Sequence, residues 1–203
     1  MNKKSFFISN LAWNKNYQDK IFELIKKNNI QGIDFAPLQI TDSWKDIEKK
    51  VKTHSYRLKK NKIKVNAVQG IFFKKKFNLF RDNNKLNEIF KHIKVIIKIC
   101  KILNCNKIII GSTEFRNKNN LKKKEADKIF IKFLKQLIPM LKKEEIFFCL
   151  EMIPKQYNEK YLFSFNHIIE NMVYGLLIGK KPIILYMIKN WDIQKFLIQN
   201  QIK

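Results

Sequence analysis

The residue with the clearest chemical potential is Glu151. It stands near the end of Glu145-Ile-Phe-Phe-Cys-Leu-Glu-Met-Ile-Pro-Lys-Gln-Tyr157, a short, almost wholly apolar segment that runs into a loop after Pro154. A run of this length, aromatic and without a periodic polar face, predicts a strand buried on both sides. An ionised carboxylate in such a place needs a metal, a cation or several donors to replace its lost hydration. The carboxyl end of a strand is also where α/β proteins keep their chemistry. The bland alternative is a glutamate that leaves the strand and meets solvent at the rim.

Four βα units lead up to that segment, which is the strand of the fifth. Residues 5–13 read as a strand ending between Asn10 and Trp13. Residues 17–29 carry Ile21, Phe22, Leu24 and Ile25 among charges, the stripe of an amphipathic helix. Gln31-Gly32 makes a turn into the short strand Ile33-Asp34-Phe35-Ala36-Pro37. Ser43 suits the N-cap of a helix from Trp44 to about Lys60, with Asp46 in its first turn. The third strand spans Lys64 to Phe73, and Gln69-Gly70 interrupts it near its end. A polar amide there is either a ligand contact or a hydrogen bond inside a barrel.

A loop through Phe77 to Arg81 precedes a long helix over 84–103, with Ile93, Ile96, Ile97 and Cys100 on its buried face. Lys107-Ile-Ile-Ile-Gly-Ser112 is the strongest β-branched run in the chain. The helix 122–142 then sets Ile129, Phe130, Phe133, Leu134, Leu137 and Ile138 on one side. This rhythm predicts parallel strands with right-handed crossovers. No GxGxxG or GxxxxGK[ST] follows any strand, which favours a barrel over a nucleotide-binding doubly wound sheet. Five clear units, with a sixth at most, make an incomplete (β/α) TIM-type barrel, since a full one has eight.

Composition narrows the function classes. The chain has 203 residues, 45% of them hydrophobic, enough for one sizeable core. No apolar run approaches the roughly 20 residues of a membrane helix. The apolar stretch after the N-terminal lysines is shorter than the roughly 7–15 residues of a signal peptide core, so it reads as the first strand of a cytoplasmic protein. Cys100, Cys105 and Cys149 show no CxxC pair and no histidine at ligand spacing, so they read as buried thiols in a reducing compartment. A net charge of +25 invites nucleic acid, yet only three of 42 basic residues are arginines, the type preferred for bidentate phosphate and base contacts. Scattered lysines beside many isoleucines and asparagines read instead as a solvated surface encoded by an AT-rich genome.

The series Asn10-Leu-Ala-Trp13, Gly32-Ile-Asp-Phe-Ala-Pro37, Val68-Gln-Gly70, Ile110-Gly-Ser112 with Arg116-Asn117, and Leu150-Glu-Met-Ile-Pro154 with Tyr157 resembles the sugar phosphate isomerase/epimerase family. That family belongs to the xylose-isomerase-like TIM-barrel superfamily. The resemblance covers about residues 5–170 and implies a divalent metal (Mn²⁺, Mg²⁺ or Zn²⁺) at the barrel mouth and a small sugar or sugar-phosphate substrate. It places Glu151 as metal ligand and proton-transfer residue next to a carbonyl. Gln69, Ser112, Arg116, Trp13 and Tyr157 become substrate-side residues. Against these stand plainer readings: a capped loop for Ser112, a surface charge for Arg116 and a packed rim aromatic for Trp13.

The family's other ligands, an Asp, a His and a second Glu, find no match after Glu151. His54, His92 and His167 fall in helices, and Asp192 sits beside Trp191 in a helix-like piece. The likeness stops near Asn171, which divides the chain into a barrel over 1–171 and a divergent tail over 172–203. A truncated or frame-shifted copy is the expected cause. A short protein completed by a partner chain and a relative that has lost its chemistry are the alternatives. An open barrel edge would promote self-association. An AP-endonuclease-like nuclease of the same superfamily and a non-catalytic basic nucleic-acid-binding protein are the competing functions.

Overall fold

The computed structural model describes residues 6–151. Tyr157, His167, Trp191, Asp192, a sixth unit and the tail boundary therefore lie outside the described residues. Strands β1 (Phe7–Ser9), β2 (Gly32–Phe35), β3 (Lys64–Val68), β4 (Lys107–Ile110) and β5 (Phe147–Leu150) alternate with helices α1 (Gln18–Lys27), α2 (Ile47–Lys60), α3 (Leu86–Leu103) and α4 (Lys123–Lys143). All pairings are parallel, and the sheet order is the chain order, β1-β2-β3-β4-β5. A doubly wound sheet reverses its order at a switch point. This one does not, and it is an arc of a (β/α) barrel.

The main core lies between strands and helices. Ile33, Phe35, Ile108, Ile110, Phe148 and Leu150 face helical residues such as Phe22, Val51, Ile96 and Phe133. The opposite, interior face carries a separate small cluster of Ala67, Ile109 and Cys149. Two covered faces explain why the strands read as continuous apolar runs.

Several boundaries differ from those the sequence suggests. β1 stops at Ser9 because the Ser9 hydroxyl accepts the Leu11 N–H (3.1 Å), and the Asn10 amide turns inward. Asn10 accepts the Ala36 N–H (2.7 Å) and donates to the Ala36 carbonyl (3.2 Å), so a short 3₁₀ turn over Asn10–Ala12 replaces strand. Gly32 is not a turn but the first residue of β2. β3 ends at Val68 rather than Phe73, since Gly70 adopts φ +62° and its carbonyl accepts the Phe73 N–H (3.0 Å). α2 begins at Ile47 rather than Trp44, with Asp46 left-handed (φ +54°) as its cap and no side-chain capping bond from it. Trp44 instead donates its indole N–H to the Phe73 carbonyl (2.8 Å). On α4 the buried residues are Ala126, Phe130, Phe133, Leu137 and Leu141, while Ile138 is exposed.

His92 is a packing residue. It is buried on α3 with Nε2 2.6 Å from the Ile71 carbonyl, and its ring meets Trp44 edge-on at 4.5 Å. Burial drives its pKa down to about 4. The unfolded chain therefore binds this proton first, and the stability His92 contributes is full above its ordinary pKa of 6.5 and declines as pH falls towards 4. Between pH 7 and pH 5 that costs about 2 kcal/mol. Urea midpoints at the two pH values, compared in wild type and His92→Gln, should show the variant losing less.

Candidate active site

β4 and β5 run side by side in register, and the Glu151 N–H extends their ladder to the Ile110 carbonyl (3.2 Å). The side chain then faces across the end of β4 at Gly111. A Cβ on Gly111 would land on the Glu151 carboxylate, well inside van der Waals contact. Glycine is thus the residue that leaves the carboxylate its place. Gly111→Ala is expected to displace the Glu151 side chain while leaving the fold largely intact, because the group that must move is the far end of a flexible side chain. A crystal structure of the variant would show it.

Glu151 is half-buried, and desolvation raises its carboxyl above the ordinary 4.5. The Arg116 guanidinium pulls the other way, and the Asp34 carboxylate adds to the rise. Arg116 is no surface charge: its side chain is fully buried. Its Nη1 donates to the Glu151 carbonyl (2.7 Å) and its Nε to the Ser112 carbonyl (3.4 Å), tying the loop after β4 to the end of β5. Burial lowers its pKa to about 10, which leaves it charged at neutral pH. The Ser112 hydroxyl accepts the Phe115 N–H (3.2 Å) and so caps the loop.

Gln69 makes the interior hydrogen bonds anticipated as one of its two readings. Its Nε2 donates to the Ser9 hydroxyl (2.6 Å) and to the Asp34 carbonyl (2.9 Å), linking β1, β2 and the end of β3. Trp13 is half-buried against the core. At the carboxyl ends of the strands lies a cavity of about 410 Å³, lined among others by Leu11, Gln69, Phe73, Gly111, Ser112 and Glu151. The structure thus brings Gln69, Ser112 and Glu151 to one cavity.

A second polar group escaped the sequence reading. Lys107 Nζ donates to Asn66 Oδ1 (2.8 Å), and Asn66 Nδ2 donates to Asp34 Oδ1 (2.7 Å), a chain across β4, β3 and β2. Asp34 is buried, and desolvation raises its pKa against the opposing pull of Asn66 and Lys107. A bulge between Ile33 and Asp34 sets this register. The available signal was Asp34 itself, a lone carboxylate inside an apolar strand.

Among the described residues no group of three or more His, Cys, Asp or Glu side chains could hold a metal ion. His54 packs on Phe35 at 5.7 Å, and His92 points to Ile71. Among the described residues, the charges that act on Glu151 are those of Arg116 and Asp34. The described residues do not make a metal centre.

No protein-family model and no curated protein matches the sequence. Solved structures do match in fold. An AP endonuclease, family 2, from Brucella melitensis superposes with TM-score 0.65 at 13% identity, covering 97% of this chain and 75% of that one. The 3-keto-D-glucoside 4-epimerase of E. coli gives TM-score 0.61 at 12% identity, covering 98% and 76%. The IolI protein with a bound zinc atom gives 0.52 at 17% identity, covering 74% of this chain and 52% of that one. The chain therefore spans from about half to three quarters of these neighbours' lengths. Identities this low speak for the fold alone, an α/β barrel of which this chain forms an arc.

Proposed function

We propose that this chain is a sugar isomerase or epimerase-type protein, in which Glu151 exchanges a proton with the carbon next to the carbonyl of a small sugar or sugar phosphate. The observation that supports it is a half-buried carboxylate, raised in pKa, on the cavity at the carboxyl ends of the strands. A carboxyl whose pKa is raised is a stronger general base than an ordinary one, because it holds a proton more tightly when it acts. Ser112 and Gln69 would present polar atoms to sugar hydroxyls. Arg116 would position Glu151 through its carbonyl rather than bind phosphate through solvent. Trp13 and Tyr157 stay in the proposal as walls of the sugar site.

A divalent ion belongs to this reading only with further donors, from residues 152–203 or from a second chain. Self-association through the strand edge is part of the same proposal and would show as concentration-dependent sedimentation. So is a cytoplasmic location; no helix among the described residues is long and apolar enough to cross a membrane.

The test is solvent deuterium wash-in at the carbon beside the carbonyl of ketoses and ketose phosphates, with and without Mn²⁺. Glu151→Gln should slow exchange by about 10²–10⁴-fold. The wild-type rate should fall on acidification at a pH above the ordinary carboxylate range, since the base must be ionised. No exchange in wild type under either condition sinks the proposal. The second reading, an AP-endonuclease-like nuclease, draws on the Brucella fold match and the +25 charge. It predicts nicking of a duplex with one abasic site.

A further inference from the structure

α3 ends in a turn whose two contact positions are both cysteines. Asn104 is left-handed (φ +53°), the Cys105 N–H bonds to the Cys100 carbonyl (3.0 Å), and the Asn104 N–H bonds to the Lys101 carbonyl (3.1 Å). This paired pattern is the Schellman motif, in which the side chains corresponding to Cys100 and Cys105 pack on each other. Both are free thiols, and the Cys100 Sγ beside Cys105 donates to the Lys107 carbonyl (3.9 Å). Cys100 is fully buried and Cys105 half-buried, so Cys105 is the more exposed member of the pair. Cys149 lies apart, in the interior cluster with Ala67 and Ile109.

We propose that Cys100 and Cys105 form a reversible dithiol–disulfide site that takes a small-molecule disulfide, of the oxidised glutathione class, as its oxidant. The order of events follows from the asymmetry of the pair. The neighbouring Cys100 holds the Cys105 thiol below its ordinary pKa, whereas Cys105 and burial push Cys100 up. Cys105 is the thiolate nucleophile, and the thiolate is the reactive form. It attacks one sulfur of the oxidant; the oxidant's S–S bond breaks, and one small thiol leaves with the electron pair and takes a proton. Cys100 then loses its proton to solvent and attacks Cys105 Sγ in the mixed disulfide, releasing the second small thiol. Two cysteine thiols have given up two electrons and two protons, and one small disulfide has become two thiols. The new bond staples the turn that delivers β4, two residues before Lys107 and its bond to Asn66.

The test is equilibration of the full-length protein in buffers of varying reduced-to-oxidised glutathione ratio, followed by acid quench, intact mass and peptide mapping. Wild type should lose the mass of two hydrogens in one transition, and the crosslinked peptide should join Cys100 to Cys105. Cys149→Ser should behave as wild type. Cys100→Ala should stop at a glutathionyl adduct on Cys105, and Cys105→Ser should give neither product at the oxidant level that bridges wild type. An unchanged wild-type mass across the series, a bridge that includes Cys149, or a bridge between two molecules overturns the proposal. The wild-type map decides even if a variant fails to fold.

Discussion

Gly32→Ala is expected to leave little folded protein. Gly32 opens β2 opposite Lys64 of β3, and a Cβ there would overlap the Lys64 carbonyl, 2.6 Å from its carbon and 3.0 Å from the Lys64 Cα. Both contacts are backbone, held by the neighbouring strand, so no side-chain rotation relieves them. The two strands would have to splay in the middle of a five-stranded arc whose interior also depends on the Asp34–Asn66 bond. A cost above about 4 kcal/mol is expected, among the largest single-residue effects. It is a large share of the roughly 5–15 kcal/mol that stabilises a domain. Urea unfolding followed by circular dichroism reads it directly. A variant that unfolds at the wild-type midpoint would show that β2 and β3 do not approach as described.

The second large effect is expected at Asn78, a fully buried side chain in the loop between β3 and α3. Its Nδ2 donates to the carbonyls of Glu114 and Asn117, both at 2.9 Å, across to the loop after β4. Its Oδ1 accepts the N–H groups of Phe80 and Arg81, also at 2.9 Å. Asn78→Ala removes four bonds at once. The Phe80 and Arg81 N–H groups lose their acceptor, while the Glu114 and Asn117 carbonyls, in the loop that carries Ser112 and Arg116, keep only the Asn117 N–H (3.2 Å) and Asn119 Nδ2 (3.3 Å), respectively. Each buried group left unsatisfied costs about 1–3 kcal/mol, reduced where water can enter. A net loss of about 3 kcal/mol is expected on that basis. Asn78→Asp keeps the acceptor and loses the two donated bonds, so it should not rescue stability. A midpoint for Asn78→Ala equal to wild type would mean that the two loops hold together without this side chain.

Both residues illustrate where sequence reading stops. Gly32 looked like turn punctuation, yet its role is to let two strand backbones meet, a property of the partner strand. Asn78 was one polar residue in an aromatic loop, and its four bonds reach residues up to 39 positions away. Arg116 was legible as an important cation, but its burial under Glu151 was not. A guanidinium looks the same in sequence whether it faces phosphate, solvent or a backbone carbonyl. Asp34 was written inside an apolar strand for anyone to weigh; its partners, Asn66 and Lys107, depended on a bulge that no local pattern announces.

The sequence by itself determined the alternation of five strands with four helices, the parallel order of the strands and the placing of Glu151 at the carboxyl end of the fifth strand. These follow from short-range rules: hydrophobic period, turn residues and crossover handedness act within a few tens of residues. Only the tertiary structure decided that Gln69 serves the barrel interior, that Ser112 caps its loop, and that Arg116 braces Glu151. It also decided that the two thiols ending α3 touch. Those outcomes rest on desolvation and on hydrogen-bond partners from distant strands, and their free energies exist only once the strands are side by side.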